Sequence, residues 1–221
     1  MNKQIQPYHY NFIRKQAYIL LQAHLSVNDK NTIKTLQAVV LEKINEQFGD
    51  KQEESQPLLT GFLEAATSKP RLEQYLEGLK EAVIPFDPPS KQQLTKLFKK
   101  TKKLKIPDWD TLDLRDYTFY SWNDSGKQQK FIVALIDDQF VGVQGTISPT
   151  VQKGICPICY ETSEVALFMS KVKESGDGMY TKRGNYICYD SERCNHNIER
   201  RTELEDFVKM LLLQNKSYPR L

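Results

Sequence analysis

KGICPICYET, residues 153–162, holds two of the four cysteines in a 221-residue chain. A C-x2-C of this kind serves as a redox dithiol, as half of a disulfide framework or as the first half of a metal site. The other pair decides among these. YICYDSERCNHN, residues 186–197, contains Cys188 and Cys194, so the whole pattern is C-x2-C, 28 residues, C-x5-C. Structural disulfides are disfavoured because MNKQIQPYHY, residues 1–10, lacks the apolar stretch of a secretory signal, and cytosolic thiols are held reduced. A thioredoxin-like dithiol needs its C-x2-C after a strand and at a helix start. Here SEVALFMS (163–170) follows almost at once and reads as another strand, and Cys188 and Cys194 would have no role.

One zinc ion accounts for all four residues: Cys156 and Cys159 from a knuckle, Cys188 and Cys194 from a remote pair that closes the tetrahedron. The intervening residues have room for a hairpin, with LFMSKVK (167–173) and MYTKRGNYIC (179–188) as arms and ESGDG (174–178) as the turn. DSERCN (190–195) then opens a helix bearing Cys194. Knuckle, hairpin and helix start describe a treble-clef zinc finger. Four thiolates around zinc carry a formal charge of about −2, which the neighbouring Lys153, Lys171, Lys173, Lys182, Arg183 and Arg193 are expected to offset. A closed tetrahedron leaves no position for water, so the zinc is expected to be structural. His196 stands two residues from Cys194, where helical geometry points it elsewhere, and His9 and His24 read as ordinary helix residues.

Outward from the cysteines, the amino-terminal part shows helical periodicity. Phe12, Ile13, Ala17, Leu20, Leu21 and His24 share one face, and Ile33, Leu36, Val40, Ile44 and Phe48 recur at threes and fours before a stop at Gly49. Two shorter amphipathic segments follow, with Leu58, Leu59, Phe62 and Leu63 in one and Leu72, Tyr75, Leu76, Leu79 and Val83 in the other. Four helices with short turns imply a small antiparallel bundle, and DKQEESQ (50–56) is a polar loop. VIPFDPPS (83–90) ends the bundle, because its three prolines remove amide donors and fix backbone angles. The expected domains are therefore 1–83 and 84–221. Ser90 and Gln93 form a capping box ahead of a helix with Leu94, Leu97 and Phe98 on its apolar side and KKTKKLKIP (99–107) as its tail.

Beyond Pro107, YTFYSW (117–122), FIVALI (131–136) and FVGVQGTI (140–147) are aromatic and β-branched, with Asp137-Asp138 at a tight turn. Trp122 reads as a core residue. TELEDFVKMLLLQ (202–214) returns to helical spacing, so the carboxy-terminal portion is α and β and the whole chain is α+β.

The balance of 31 basic and 28 acidic residues gives a net charge of +3, which does not demand a nucleic-acid partner. No apolar run is long enough to span a bilayer, and a cytoplasmic location is expected. Nucleophile-elbow, Walker A and zinc-protease motifs are missing, and GDG (176–178) reads as a turn, so the chain is not expected to be an enzyme.

WND (122–124), GTISP (145–149), KGICPIC (153–159), LFMSK (167–171), YTKRGNYICYDSERCN (180–195), KIP (105–107), YNFIR (10–14) and VNDK (27–30) together resemble the FusB/FusC family. These are elongation factor G-binding proteins of Gram-positive bacteria, some of which confer fusidic acid resistance. The resemblance implies a monomer that binds elongation factor G through its zinc-bearing domain and helps release it from the ribosome without modifying the drug. It also implies contacts from Tyr186, from Arg183 beside Lys182 where lysine is usual, and from Phe207 in the last helix. Ile155 departs from the family's usual phenylalanine, which removes an aromatic face from a contact position. Tyr186 and Phe207 also suit a packing role around the finger. The competing function is a zinc-finger protein that binds ribosomal RNA through Lys99, Lys100, Lys102, Lys103 and Lys105, a run that otherwise reads as a solvated helix face. Redox sensing through the zinc thiolates is a third reading.

Overall fold

A computed structural model describes residues 5–49, 56–106, 108–174 and 180–212. The chain divides into two compact units, Met1–Pro85 and Phe86–Leu221. The polar loop expected at 50–56 and the turn expected at 174–178 lie almost wholly outside the described residues.

In unit 1, helix α1 (Pro7–Ser26) and helix α2 (Lys30–Phe48) pair through the apolar faces read above. Phe12, Ile13, Ala17, Leu20, Leu21, Val40, Ile44 and Phe48 are all buried in one core. Asp29 starts α2 by accepting hydrogen bonds from the Asn31 and Thr32 amides at 2.9 and 3.3 Å. Gly49 ends it with a positive φ of 52°. The segment with Leu58, Leu59, Phe62 and Leu63 is not one helix. A 3-10 turn (Gln56–Leu59) and the single turn α3 (Phe62–Ala65) are separated at Gly61, whose φ of 76° interrupts right-handed winding. Helix α4 (Lys69–Lys80) stops short of Val83, which is buried in a parallel bridge to Ile5.

Unit 2 opens with α5 (Lys91–Leu97), begun by the Ser90–Gln93 capping box: the Gln93 amide donates to Ser90 Oγ and the Ser90 amide to Gln93 Oε1, at 3.3 and 2.8 Å. The helix ends sooner than its lysine-rich tail suggests. Phe98 leaves the helical region and turns its ring into the core, 5.1 Å from Phe131 and 5.8 Å from Trp122 between centroids. Lys99, Lys100, Lys102, Lys103 and Lys105 are therefore exposed on turns and irregular chain and not on a helix face.

An antiparallel sheet follows in the order β1-β2-β3-β4-β5: β1 (Tyr120–Asp124), β2 (Gln129–Ile136), β3 (Gln139–Ile155), β4 (Thr162–Glu174) and β5 (Tyr180–Cys188). Asp137 and Asp138 join β2 to β3 with φ values of 50° and 59°, the left-handed pair that a two-residue hairpin turn needs. Phe131 and Val133 face the core shared with α5, and the alternate residues Ile132, Ala134 and Ile136 are buried too, so β2 is covered on both faces. Trp122 is half-buried and stacks on Phe131 at 5.0 Å, as its aromatic strand position suggested. Strand β3 runs well past Ile147. Its register with β4 shifts between Ile147 and Val151, a bulge spanning Pro149, which has no amide to donate. After the shift the ladder resumes and delivers the chain to Cys156. Helices α6 (Ser191–Asn197) and α7 (Arg201–Leu212) complete the unit. No helix among the described residues is long and apolar enough to cross a membrane.

Candidate metal centre

The two hairpin arms and one helix start bring the cysteines together. Cys156 and Cys159 sit in the connection from β3 to β4, closed by the Tyr160 amide donating to the Cys156 carbonyl at 2.8 Å and the Cys156 amide to the Glu161 carbonyl at 3.1 Å. Tyr160 takes a left-handed φ of 55° to make that reversal. Cys188 ends β5 opposite Val165, and the Tyr189 amide extends the pairing to the Glu164 carbonyl at 3.1 Å. Asp190 caps α6 by accepting from the Glu192 and Arg193 amides at 2.9 and 3.2 Å, which winds Cys194 inward on the first full turn.

All four thiols are buried, and their sulfur atoms lie within 4.8 Å of one another. Cys156 and Cys194 are 3.9 Å apart, and Cys159 and Cys188 are 3.7 Å apart. A disulfide needs about 2.05 Å. Four sulfurs at about 2.3 Å from a central ion define a tetrahedron with edges of about 3.8 Å, so these residues fit zinc. The Ile158 and Cys188 amides both donate to Cys156 Sγ at 3.4 Å, which supports negative charge on that sulfur. The neighbouring thiols of Cys159, Cys188 and Cys194 push the Cys156 pKa far down by donating to it, and bonding to Cys156 pushes Cys159 and Cys194 far up. Thiolates this close cannot all ionise without a cation among them.

His196 is outside this cluster. Its Nδ1 lies 2.9 Å from the Glu192 carbonyl and its Nε2 3.9 Å from Asp116. Asn195, beside Cys194, is fully buried and ties α6 to the chain ahead of β1. Its Oδ1 accepts from the Thr118 and Phe119 amides at 2.8 and 3.2 Å, and its Nδ2 donates to the Phe119 and Ser191 carbonyls at 3.0 Å each. These bonds explain why β1 starts at Tyr120 and not at Tyr117: the amides before it belong to the finger. Asn195→Ala strands those backbone groups and is expected to cost about 3 kcal/mol, read as a lower thermal midpoint with zinc still bound. An unchanged midpoint would contradict this role.

Lys130 was not legible as part of the site. It is 2% exposed, with Nζ donating to Asn123 Oδ1 at 3.1 Å, the Tyr189 carbonyl at 3.0 Å and Ser191 Oγ at 2.7 Å. Burial lowers its pKa to about 8, against the raising influence of Cys194, Cys188, Asp190 and Cys156. Its one sequence signal is alternation with the inward residues Ile132 and Ala134 on β2.

The residues that the family resemblance singled out divide by exposure. Ile155 is 66% exposed and Tyr186 39%. Alternation on β5 gives Tyr186 and the exposed Lys182 one face and the half-buried Arg183 the other. Leu167, opposite Tyr186 on β4, is also exposed. Of the two roles open to it, surface contact and packing around the finger, Phe207 takes the packing one. It is 5% exposed, its ring 6.2 Å from that of Phe168, because α7 turns that stripe with Leu204, Val208 and Leu211 into the core.

Residues 4–87 match the family model described as elongation factor G-binding protein, N-terminal, and residues 92–215 match the FBP C-terminal treble-clef zinc-finger. The chain is also similar to the solved structure of the fusidic acid resistance protein FusC, at 34% identity over 97% of this chain and 98% of that one, with a TM-score of 0.84. No curated protein sequence matches it. The treble-clef match and the four clustered thiols together make the metal a structural zinc.

Proposed function

The chain belongs to the FusB/FusC family of elongation factor G-binding proteins, and from that premise we propose that it binds elongation factor G and promotes the factor's release from the ribosome. The observation that carries this reading is the similarity to the fusidic acid resistance protein FusC along both units. Protection of translation from fusidic acid would follow from the same binding. No bond is made or broken: a zinc with four thiolate ligands has no open position for substrate, and its task is to hold a docking face rigid.

That face is centred on Tyr186, two residues before the ligand Cys188, with Leu167 opposite and Lys182 on the same side. Ile155, immediately before Cys156, adds aliphatic area at the knuckle. Side chains anchored this near a metal lose little conformational freedom on binding, which favours affinity. Binding releases the factor only through higher affinity for its dissociating conformation. A preference of about 5–150-fold corresponds to about 1–3 kcal/mol of coupling. Phe207, being buried, supports the face from beneath.

Calorimetric titration of purified elongation factor G into the protein tests the reading, in the absence of ribosomes and RNA. A complex that persists at raised salt and weakens when zinc is chelated is expected. Tyr186→Ala is expected to weaken it by about tenfold or more while leaving one zinc per chain, because an aromatic anchor covered at an interface typically contributes above about 1 kcal/mol. Wild-type affinity in that variant would remove Tyr186 from the face. Absence of any complex would overturn the function.

A further inference from the structure

The zinc reading leaves one question of charge. A cluster of four thiolates and one divalent cation is a dianion, and it is buried, where an uncompensated charge is costly. The described basic side chains nearest in sequence to the ligands do not answer this: Lys153, Lys171, Lys182 and Arg193 are exposed, where water screens them, and the half-buried Arg183 pairs with Ser170, five residues along β5 from Cys188. Among the described residues of this unit the buried cation is Lys130, remote in sequence from every cysteine. Two of its three hydrogen bonds go to the ligand loop, one to the carbonyl of Tyr189, next after Cys188, and one to the hydroxyl of Ser191, three before Cys194. We propose that Lys130 is the counter-cation of the zinc centre, a positioning residue whose ammonium offsets the thiolate charge from the β2 side and slows loss of the metal.

Resting as it does on the zinc assignment, the proposal is separable from a simple strut. The Tyr189 carbonyl also accepts from Asn123 Nδ2 at 3.1 Å, so it keeps a partner when Lys130 is replaced. Burial disfavours its ammonium, and Cys194, Cys188, Asp190 and Cys156, three of them ligands, act against that. Hydrogen bonds from the ammonium to the ligand loop, rather than direct contact with sulfur, let it act on the centre without distorting the tetrahedron. Partners of this kind around metal ligands commonly change affinity by about 10–100-fold.

The test uses the full chain. Native mass spectrometry of the wild type first establishes one zinc per molecule; a metal-free wild type would overturn the zinc assignment itself. Competition with a chromophoric chelator then compares wild type, Lys130→Met, Lys130→Gln and Ser191→Ala. Both neutral variants are expected to bind zinc at least about tenfold more weakly, with Ser191→Ala within about threefold of wild type, since it keeps the charge and loses one hydrogen bond. After cobalt substitution, the sulfur-to-cobalt charge-transfer band of Lys130→Met is expected at longer wavelength, because sulfur without a nearby cation gives up electron density more readily. Ser191→Ala is expected to leave that band in place. Wild-type zinc affinity in the Lys130 variants, or an equal loss in Ser191→Ala, would overturn the counter-cation. So would failure of both Lys130 variants to fold in saturating zinc while Ser191→Ala folds, which would make Lys130 a strut of β2.

Discussion

Cys156→Ser is expected to empty the metal centre and unfold unit 2 while unit 1 keeps its helices. Cys156 is the hub of the cluster: its sulfur faces the Cys194 sulfur at 3.9 Å and accepts from both the Ile158 and Cys188 amides. A serine hydroxyl is a poor zinc ligand that stays protonated near neutral pH, so the loss exceeds one bond. Structural zinc contributes about 10 kcal/mol or more to small finger domains, comparable with the whole stability of an ordinary domain. The effect spreads because the ligands join three elements. Without the ion, the β3–β4 connection, the end of β5 and α6 keep only their hydrogen bonds and the packing of Ile158, Ile187 and Ile198. Unit 1 has its own core of buried residues and is expected to survive. Zinc content by mass spectrometry and the thermal transition by circular dichroism read both outcomes. One zinc per chain with an unshifted transition would refute the prediction.

Gly184→Ala is expected to be the most damaging glycine-to-alanine change among the described residues. Gly184 lies opposite Met169 where β5 crosses β4, and a Cβ there would overlap the Phe168 carbonyl oxygen and come within 2.9 Å of Met169 Cα. Both obstacles are backbone, so no rotamer relieves them. The strands must separate, and β5 carries Tyr186 and Cys188 two and four residues further on. Overpacking of this kind costs about 3 kcal/mol or more, which for a unit of this size lowers the melting midpoint by about 10 °C. Weaker binding of elongation factor G is expected alongside, through displacement of Tyr186. A midpoint within a degree of wild type would show that the two strands can part at no cost.

Much of the fold was readable from local pattern. The Ser90–Gln93 capping box, the Asp137-Asp138 turn and the faces of α1 and α2 are each specified by residues within a few positions of one another, where helix and strand periods and turn sterics act directly. The four cysteines were readable for a different reason: thiolate chemistry and spacing narrow the partner to one ion, whatever lies between. Elsewhere local pattern was overridden. Thr118 and Phe119 have strand-like side chains, yet their amides are taken by Asn195, 76 or 77 residues away. The lysine tail of α5 has good helix formers, yet burial of Phe98 ends the helix before it.

By itself, then, the sequence determined the long helices α1 and α2, the α5 cap, the β2–β3 turn, the cysteine cluster and the family, because each rests on short spacing or on ligand chemistry. Only the tertiary structure decided that Tyr186 stays at the surface while Phe207 is covered, that Lys182 and not Arg183 shares the Tyr186 face, and that Lys130 lies buried against the loop between Cys188 and Cys194. The reason is physical: burial and charge compensation are set by which distant segment comes to rest on a side chain. Lysine on a strand is the same residue whether it meets water or a dianion.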